Sequence, residues 1–175
     1  MIPTNRITPK LLERLRKIKA LLLDVDGVLT DSQSVVSTKN SDTKALYKED
    51  ISLIQYARDN GVHFGIITGR FAGSTEDIAA TLGVTDVYYG YLQKLDAFTE
   101  FKDVYEYTNE ELAYIGDDIF DLPVIKEAGL GVAPANAHAQ VRVAAEYVCK
   151  ARGGKGAVAE ILSLILHARH DGSAE

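Results

Sequence analysis

The run Leu21-Leu22-Leu23 ends in two carboxylates one residue apart and then a glycine, Asp24-Val25-Asp26-Gly27, and continues as Val28-Leu29-Thr30-Asp31. A short apolar run of this kind reads as a buried strand. Taking two acids out of water at the end of such a strand costs several kcal/mol unless a cation pairs with them. A metal ion is the partner this arrangement asks for. The alternative left open by this stretch alone is a solvated acidic turn, since Asp and Gly are ordinary turn residues.

The remainder of the chain limits what that stretch can serve. At 175 residues, with 46% apolar and 25% charged residues, the chain has the size and balance of one globular domain, expected over 1–175 with a loose tail at about 171–175. The net charge of −6 offers no electrostatic footprint for nucleic acid or an anionic membrane, so an anionic substrate needs locally concentrated positive charge. Cys149 is the single cysteine, which rules out an intrachain disulfide and a thiolate zinc cluster and points to a reducing compartment. No apolar run approaches a membrane span, and residues 1–19 lack a signal-peptide core, so the expected location is the cytoplasm.

Strand and helix patterns alternate almost throughout. Thr8-Pro9 opens a helix that runs through Ile18, and the Leu21 strand follows. A hairpin is expected over about 34–47, then a helix capped by Asp50 and closing at Asn60-Gly61. Next come a strand over 62–68 ending in Thr68-Gly69-Arg70, a helix over 74–82, a strand over 84–89 and a helix opened by Lys94. A strand over 112–116 ends in Asp117-Asp118 and leads to a helix over 119–128. Short strands at 130–133 and 147–148 enclose a helix at 137–145, and Gly153-Gly154-Lys155-Gly156 leads into a last amphipathic helix over 157–168. Such alternation predicts an α/β fold with a mostly parallel sheet and helices on both faces. Ligands of these sheets bind beyond the carboxyl ends of the strands, and Asp24, Asp26, Thr68, Asp117 and Asp118 all fall there.

Acids and a hydroxyl gathered at one edge suit a hard, oxygen-liganded cation, and Mg²⁺ is the usual one where phosphate is also bound. A phosphate ester resists an anionic nucleophile until its oxygens are neutralised, which Mg²⁺ and Lys94 would do while Thr68 and nearby backbone N–H groups, Gly69 among them, hold the phosphoryl oxygens. Asp24 would attack phosphorus, and Asp26 would protonate the leaving alcohol and later serve as base. Arg70 reads equally as a substrate contact or a surface residue. Asp118 and Asp121 read either as supporting acids or as caps of the following helix, and His63 as a packing or surface residue.

Asp24-Val25-Asp26-Gly27-Val28-Leu29-Thr30-Asp31, Ile67-Thr68-Gly69-Arg70, Lys94-Leu95 and Gly116-Asp117-Asp118-Ile119-Phe120-Asp121 resemble, in order, the four motifs of the haloacid dehalogenase (HAD) superfamily. From about Ile18 to about Leu166 the chain is similar to the small capless phosphatases of 3-deoxy-D-manno-octulosonate 8-phosphate, including at Ala80-Thr81-Leu82-Gly83 and Gly153-Gly154-Lys155-Gly156-Ala157-Val158. The resemblance implies a Rossmann-like core with a β-hairpin flap and no cap domain, Asp24 as nucleophile and Asp26 as general acid/base. It implies Mg²⁺ held by Asp24, the main-chain carbonyl of Asp26, and Asp117, with Asp118 and Asp121 in support and Thr68 and Lys94 on the phosphate. It also implies a cytoplasmic homotetramer in which the hairpin packs centrally and the glycine-rich segment and tail after Arg152 reach a neighbouring pocket.

Two stretches depart from these relatives. Glu49-Asp50-Ile51 stands where they show Arg-Asp-Gly, and Tyr89-Gly90-Tyr91-Leu92-Gln93-Lys94 where they show Gln-Gly-Gln-Ser-Asp-Lys. A glutamate in place of a cation repels a sugar-acid carboxylate, so activity on a generic aryl phosphate is expected to survive and that on octulosonate 8-phosphate to be weak. Other readings are a phosphatase of a nine-carbon sugar acid 9-phosphate or of another small phosphomonoester, or a non-catalytic assembly module in a nucleotide-sugar pathway. The retained acids argue against the last.

Overall fold

Strand β1 (Ala20–Leu23) is buried at every position because it is covered on both faces. Side chains alternate across a strand, so Leu21 and Leu23 enter one core while Ala20 and Leu22 enter another. The computed structural model describes residues 7–31, 45–69, 73–91 and 93–171. The expected hairpin falls largely on 32–44, outside the described residues, as do Arg70, Leu92 and 172–175.

Five further strands complete a wholly parallel sheet: β2 (His63–Thr68), β3 (Asp86–Tyr89), β4 (Leu112–Ile115), β5 (Leu130–Ala133) and β6 (Tyr147–Val148). Their order is β3-β2-β1-β4-β5-β6. Successive crossovers build one side from β1 through β3, and the chain then returns to the other side of β1 to lay down β4. The ends of β1 and β4 therefore frame the crevice in which such sheets take ligands.

The helices are α1 (Pro9–Lys17), α2 (Lys48–Asp59), α3 (Gly73–Leu82), α4 (Lys94–Val104), α5 (Leu122–Glu127), α6 (Ala139–Ala144) and α7 (Ala157–Asp171). On one face Leu15, Ile54, Ile78, Ile161 and Ile165 from α1, α2, α3 and α7 pack with Leu21, Leu23, Ile66, Ile115 and Val132 of the sheet. On the other, Phe98, Phe101, Ile125 and Val141 from α4, α5 and α6 cover Leu22, Ile67 and Tyr114. Each fully buried aliphatic or aromatic side chain contributes roughly 1.5–3 kcal/mol. Together these layers hold the strand ends rigidly enough to carry a site.

Thr8 caps α1 as expected, accepting the Leu11 N–H at 3.2 Å, with Pro9 at the first helical position. The expectation for Asp50 needs correction. Helix α2 starts at Lys48, so Asp50 lies inside its first turn, buried, and its carboxylate accepts from the N–H groups of Gly156 and Ala159 instead. It caps α7, a different helix. The last helix continues through Asp171, three residues beyond the expected end.

Candidate active site

Asp24 extends the ladder of β1 by one residue, its N–H donating to the Ile115 carbonyl at 3.1 Å, which fixes the position of its side chain at the strand ends. Its Oδ1 accepts from the Val25 N–H at 2.7 Å and from Lys94 Nζ at 2.8 Å. Lys94 is the first residue of α4, where the helix dipole disfavours a cation. It is nevertheless buried, because its ammonium lies between Asp24 Oδ1 and Asp121 Oδ1, the latter at 2.7 Å. A cation placed against the helix preference is held there by the two acids.

Asp121 is the frame of the site. It is fully buried: Oδ1 accepts from Lys94 Nζ and from the Tyr114 hydroxyl at 2.6 Å, and Oδ2 accepts from the N–H groups of Asp117 and Asp118 at 2.9 Å each. Four donors on two oxygens compensate for its burial. They also pin the backbone that carries Asp117. This approach needs Gly116, since a Cβ there would lie 2.4 Å from Asp121 Cγ. Asp121 makes no side-chain cap bond to α5, and its Oδ2 closes a capping box with Asp118 on the 3₁₀ turn Ile119–Asp121. Asp118 is exposed and caps the short 3₁₀ turn Ile119–Asp121 through the Ile119 N–H.

Asp117 is the acid left unsatisfied: its Oδ1 is buried and has no hydrogen-bond partner. Carboxylate oxygens of Asp24, Asp117 and Asp121 lie within 4.8 Å of one another, the only such cluster of metal-binding side chains among the described residues. Three carboxylates face the single ammonium of Lys94, a deficit of two positive charges when all are ionised. The consequence is visible in their titration. Burial pushes Asp24 up to about 7, with Lys94 opposing the rise and Asp121 adding to it, and burial with the charge of Asp121 pushes Asp117 up to about 7. Burial works against the Lys94 ammonium, but Asp24 and Asp121 outweigh it and hold its pKa above the ordinary value. A divalent, oxygen-liganded cation fits this set in charge and donor type, and it would give the buried Asp117 oxygen a partner.

Asp26 stands half-buried at the start of the loop 26–31. The Val25 carbonyl accepts from the N–H groups of Val28, Leu29 and Thr30, and Gly27, at φ +89°, turns the chain so that its N–H donates to the Thr30 carbonyl. Thr68, the last residue of β2, is buried beside this loop's end of the sheet, and Gly69 follows, half-buried. Asp24, Lys94, Asp117 and Asp121 are thus brought together directly, and Asp26, Thr68 and Gly69 lie on the same edge of the sheet.

Of the departing stretches, Tyr89 ends β3 in register with Thr68, and the Tyr91 hydroxyl donates to Glu100 Oε2 at 2.9 Å. Glu49 is exposed in the first turn of α2, at a groove of about 660 Å³ between α2 and α7. His63 is a packing residue at the opposite end of the sheet, 3.1 Å from Asp86 and edge-on to Tyr105. Residue-by-residue reading missed Tyr114, whose inward position follows from strand alternation but whose bond to Asp121 does not. It also missed that Gly153 and Gly154 pack on the loop after Asp26, within this chain.

A family model described as haloacid dehalogenase-like hydrolase matches residues 83–162. The 3-deoxy-D-manno-octulosonate 8-phosphate phosphatase KdsC of Salmonella typhimurium is 38% identical over 163 residues, 93% of this chain and 87% of the relative. Among solved structures, the octulosonate 8-phosphate phosphatase of Yersinia pestis has a TM-score of 0.90 at 38% identity, covering 93% of this chain and 88% of that one. The enzyme of Moraxella catarrhalis, solved in complex with a magnesium ion, a phosphate ion and a KDO molecule, has a TM-score of 0.88 at 34% identity, covering 93% and 94%.

Proposed function

The chain belongs to the haloacid dehalogenase-like phosphatases that include those of 3-deoxy-D-manno-octulosonate 8-phosphate, and from that premise we propose that it hydrolyses this sugar-acid phosphate through an aspartyl-phosphate on Asp24. The buried Asp24–Lys94–Asp121 cluster, with the partnerless oxygen of Asp117 beside it, carries the reading. The fold gives that Asp117 oxygen no partner to offset the cost of burying it.

In this scheme one Asp24 oxygen attacks phosphorus while the phosphorus–ester oxygen bond breaks, and Asp26 gives its proton to the departing oxygen. Asp26, now a carboxylate, takes a proton from the water that attacks the phosphoryl-aspartate, and inorganic phosphate leaves with Asp24 regenerated. Lys94 orients the Asp24 carboxylate and places a positive charge at the attacking end. Thr68, Gly69, Arg70 and Lys94 are the proposed phosphate contacts. Asp24, Asp117 and the Asp26 carbonyl would hold Mg²⁺, which when bound supplies the charge neutralisation that lets a carboxylate approach a phosphate dianion. Asp121 holds the backbone N–H groups of Asp117 and Asp118 in place, and Asp118 supports the turn that follows through the Ile119 N–H.

We place the activity in a cytoplasmic homotetramer of this single domain, a reading supported by the resemblance to the octulosonate phosphatases. Among the described residues no helix is long and apolar enough to cross a membrane.

The deciding experiment is phosphate release, with and without Mg²⁺, from octulosonate 8-phosphate, a nine-carbon sugar acid 9-phosphate and p-nitrophenyl phosphate, with Asp24→Asn in parallel. The expected result is Mg²⁺-dependent release that is lost in the variant, and release fastest on octulosonate 8-phosphate would set aside the weakening expected from Glu49. Faster turnover of the other sugar acid would move the substrate and leave the mechanism in place. Release that persists in Asp24→Asn would overturn the mechanism.

A further inference from the structure

Three aspartates among the described residues are nearly sealed from solvent: Asp24, Asp121 and Asp50. The first two belong to the site. Asp50, 1% exposed, is the buried acid that the chemistry leaves unused. Its Oδ1 accepts from the Ala159 N–H at 2.7 Å and its Oδ2 from the Gly156 N–H at 3.2 Å. Both donors are at the start of α7, so an acid of one helix satisfies orphan N–H groups of another, and its charge faces the positive end of that helix dipole.

The segment so anchored runs directly onto the loop that follows Asp26. The N–H of Gly154 donates to the Val28 carbonyl at 2.8 Å. A Cβ on Gly153 would lie 1.7 Å from the Gly27 carbonyl oxygen, and one on Gly154 would lie 2.5 Å from the Asp31 nitrogen. The far side of the same strap is held by Asn136, whose Oδ1 accepts from the Gly153 N–H at 2.8 Å. Lys155 closes a turn between the two ends, its N–H donating to the Arg152 carbonyl at 3.0 Å. The Gly154 bond and the close approaches of Gly153 and Gly154 to residues 27–31 are backbone against backbone, so a shift at the start of α7 has little slack to absorb it before residue 27.

We propose that Asp50 is a positioning residue for the hydrolysis: by anchoring Gly156 and Ala159 it holds the Gly153-Gly154 strap on residues 27–31 and thereby keeps Asp26 where it can protonate the leaving group. The inference rests on the acid/base reading of Asp26 above. A group that only stabilises the fold lowers activity on all esters alike. Misplacing the acid is selective instead, because an alkoxide cannot leave without a proton whereas p-nitrophenolate can.

The test is therefore kcat/KM of Asp50→Asn on an alkyl phosphate and on p-nitrophenyl phosphate, with Asp26→Asn as the reference. This parameter covers only the steps through formation of the phosphoryl-aspartate, so slow hydrolysis of that intermediate does not mask the effect. Asn has the shape of Asp and keeps one acceptor oxygen but turns an NH₂ toward one of the two donors. Misplacement on the scale of an ångström costs up to about 10²-fold, so the alkyl ester should fall by roughly 10- to 100-fold and the aryl ester by less than about threefold. The Asp50→Ala variant should show the same selectivity, larger. An equal loss on both esters, no loss, or an Asp50→Asn protein that fails to fold would each overturn the positioning role. If Asp26→Asn itself shows no selectivity, the acid/base assignment fails, a result distinct from failure at Asp50.

Discussion

Asp24 and Asp117 both ionise near pH 7 in the metal-free chain, because burial penalises their charged forms more than Lys94 can offset. Both folded-state values lie above the ordinary 3.8, so between about pH 4 and 7 the folded protein holds protons that the unfolded chain has lost. Stability of the metal-free protein contributed by these groups is accordingly greatest at the acid end of that window and falls as pH rises through it. Mg²⁺ needs the deprotonated acids, so below pH 7 its apparent affinity should rise by about tenfold per pH unit for each proton displaced, then level off. Thermal melts with and without Mg²⁺ from pH 5.5 to 8.5 should show a stabilising shift that grows with pH up to about 7. A shift independent of pH would mean that these carboxyls do not hold the ion. At this scale Lys94 was legible as a cation of the site, but its pairing with Asp24 and Asp121 was not. Asp50 was not, because an Asp near a helix start reads as that helix's own cap, and its true partners lie at Gly156 and Ala159, where sequence spacing offers no cue.

Segments show a similar division. The three strands whose ends carry the site acids and Thr68 were legible as apolar runs stopped by polar residues, and the observed β1, β2 and β4 fall within a residue of expectation. The Gly153-Gly154-Lys155-Gly156 segment reads as a loop, but nothing in its residue types says which backbone it approaches. The structure places it on residues 27–31, and this makes a pair of glycine substitutions informative. Gly153→Ala puts a methyl 1.7 Å from the Gly27 carbonyl oxygen, an overlap only backbone movement can relieve. Overpacking of this kind costs about 1–3 kcal/mol, and because Gly27 adjoins Asp26, kcat should drop at least about tenfold. Gly61→Ala is the control: its φ of +77° makes Ala unfavourable by about 1–2 kcal/mol, yet nothing lies within 4 Å of the added carbon. Urea denaturation paired with kcat should find both variants destabilised and only Gly153→Ala impaired in turnover. Equal kcat in the two would separate the strap from catalysis.

For the whole molecule, strand–helix alternation predicts a parallel sheet, while the order β3-β2-β1-β4-β5-β6 depends on which side of β1 each crossover packs, information held in the two separate cores. That order sets the crevice between β1 and β4, and its rim is unusually apolar. Ile119 and Phe120, on the turn beside Asp117 and Asp118, are 43% and 60% exposed. Apolar side chains at the mouth of a polar site are better accounted for by a covering surface than by water. A second copy of the chain is the expected cover, in keeping with the proposed tetramer. With a formal charge of −6 on each chain, association must be driven by apolar burial, so it should survive added salt and tighten with it. Light scattering should return four times the chain mass of 19.1 kDa at micromolar concentration, in low and in high salt. If the neighbour also completes the site, specific activity should fall on dilution at the concentration where the mass falls. A mass of one chain with full activity would make the open crevice the working site, and the apolar rim would then face substrate rather than a partner.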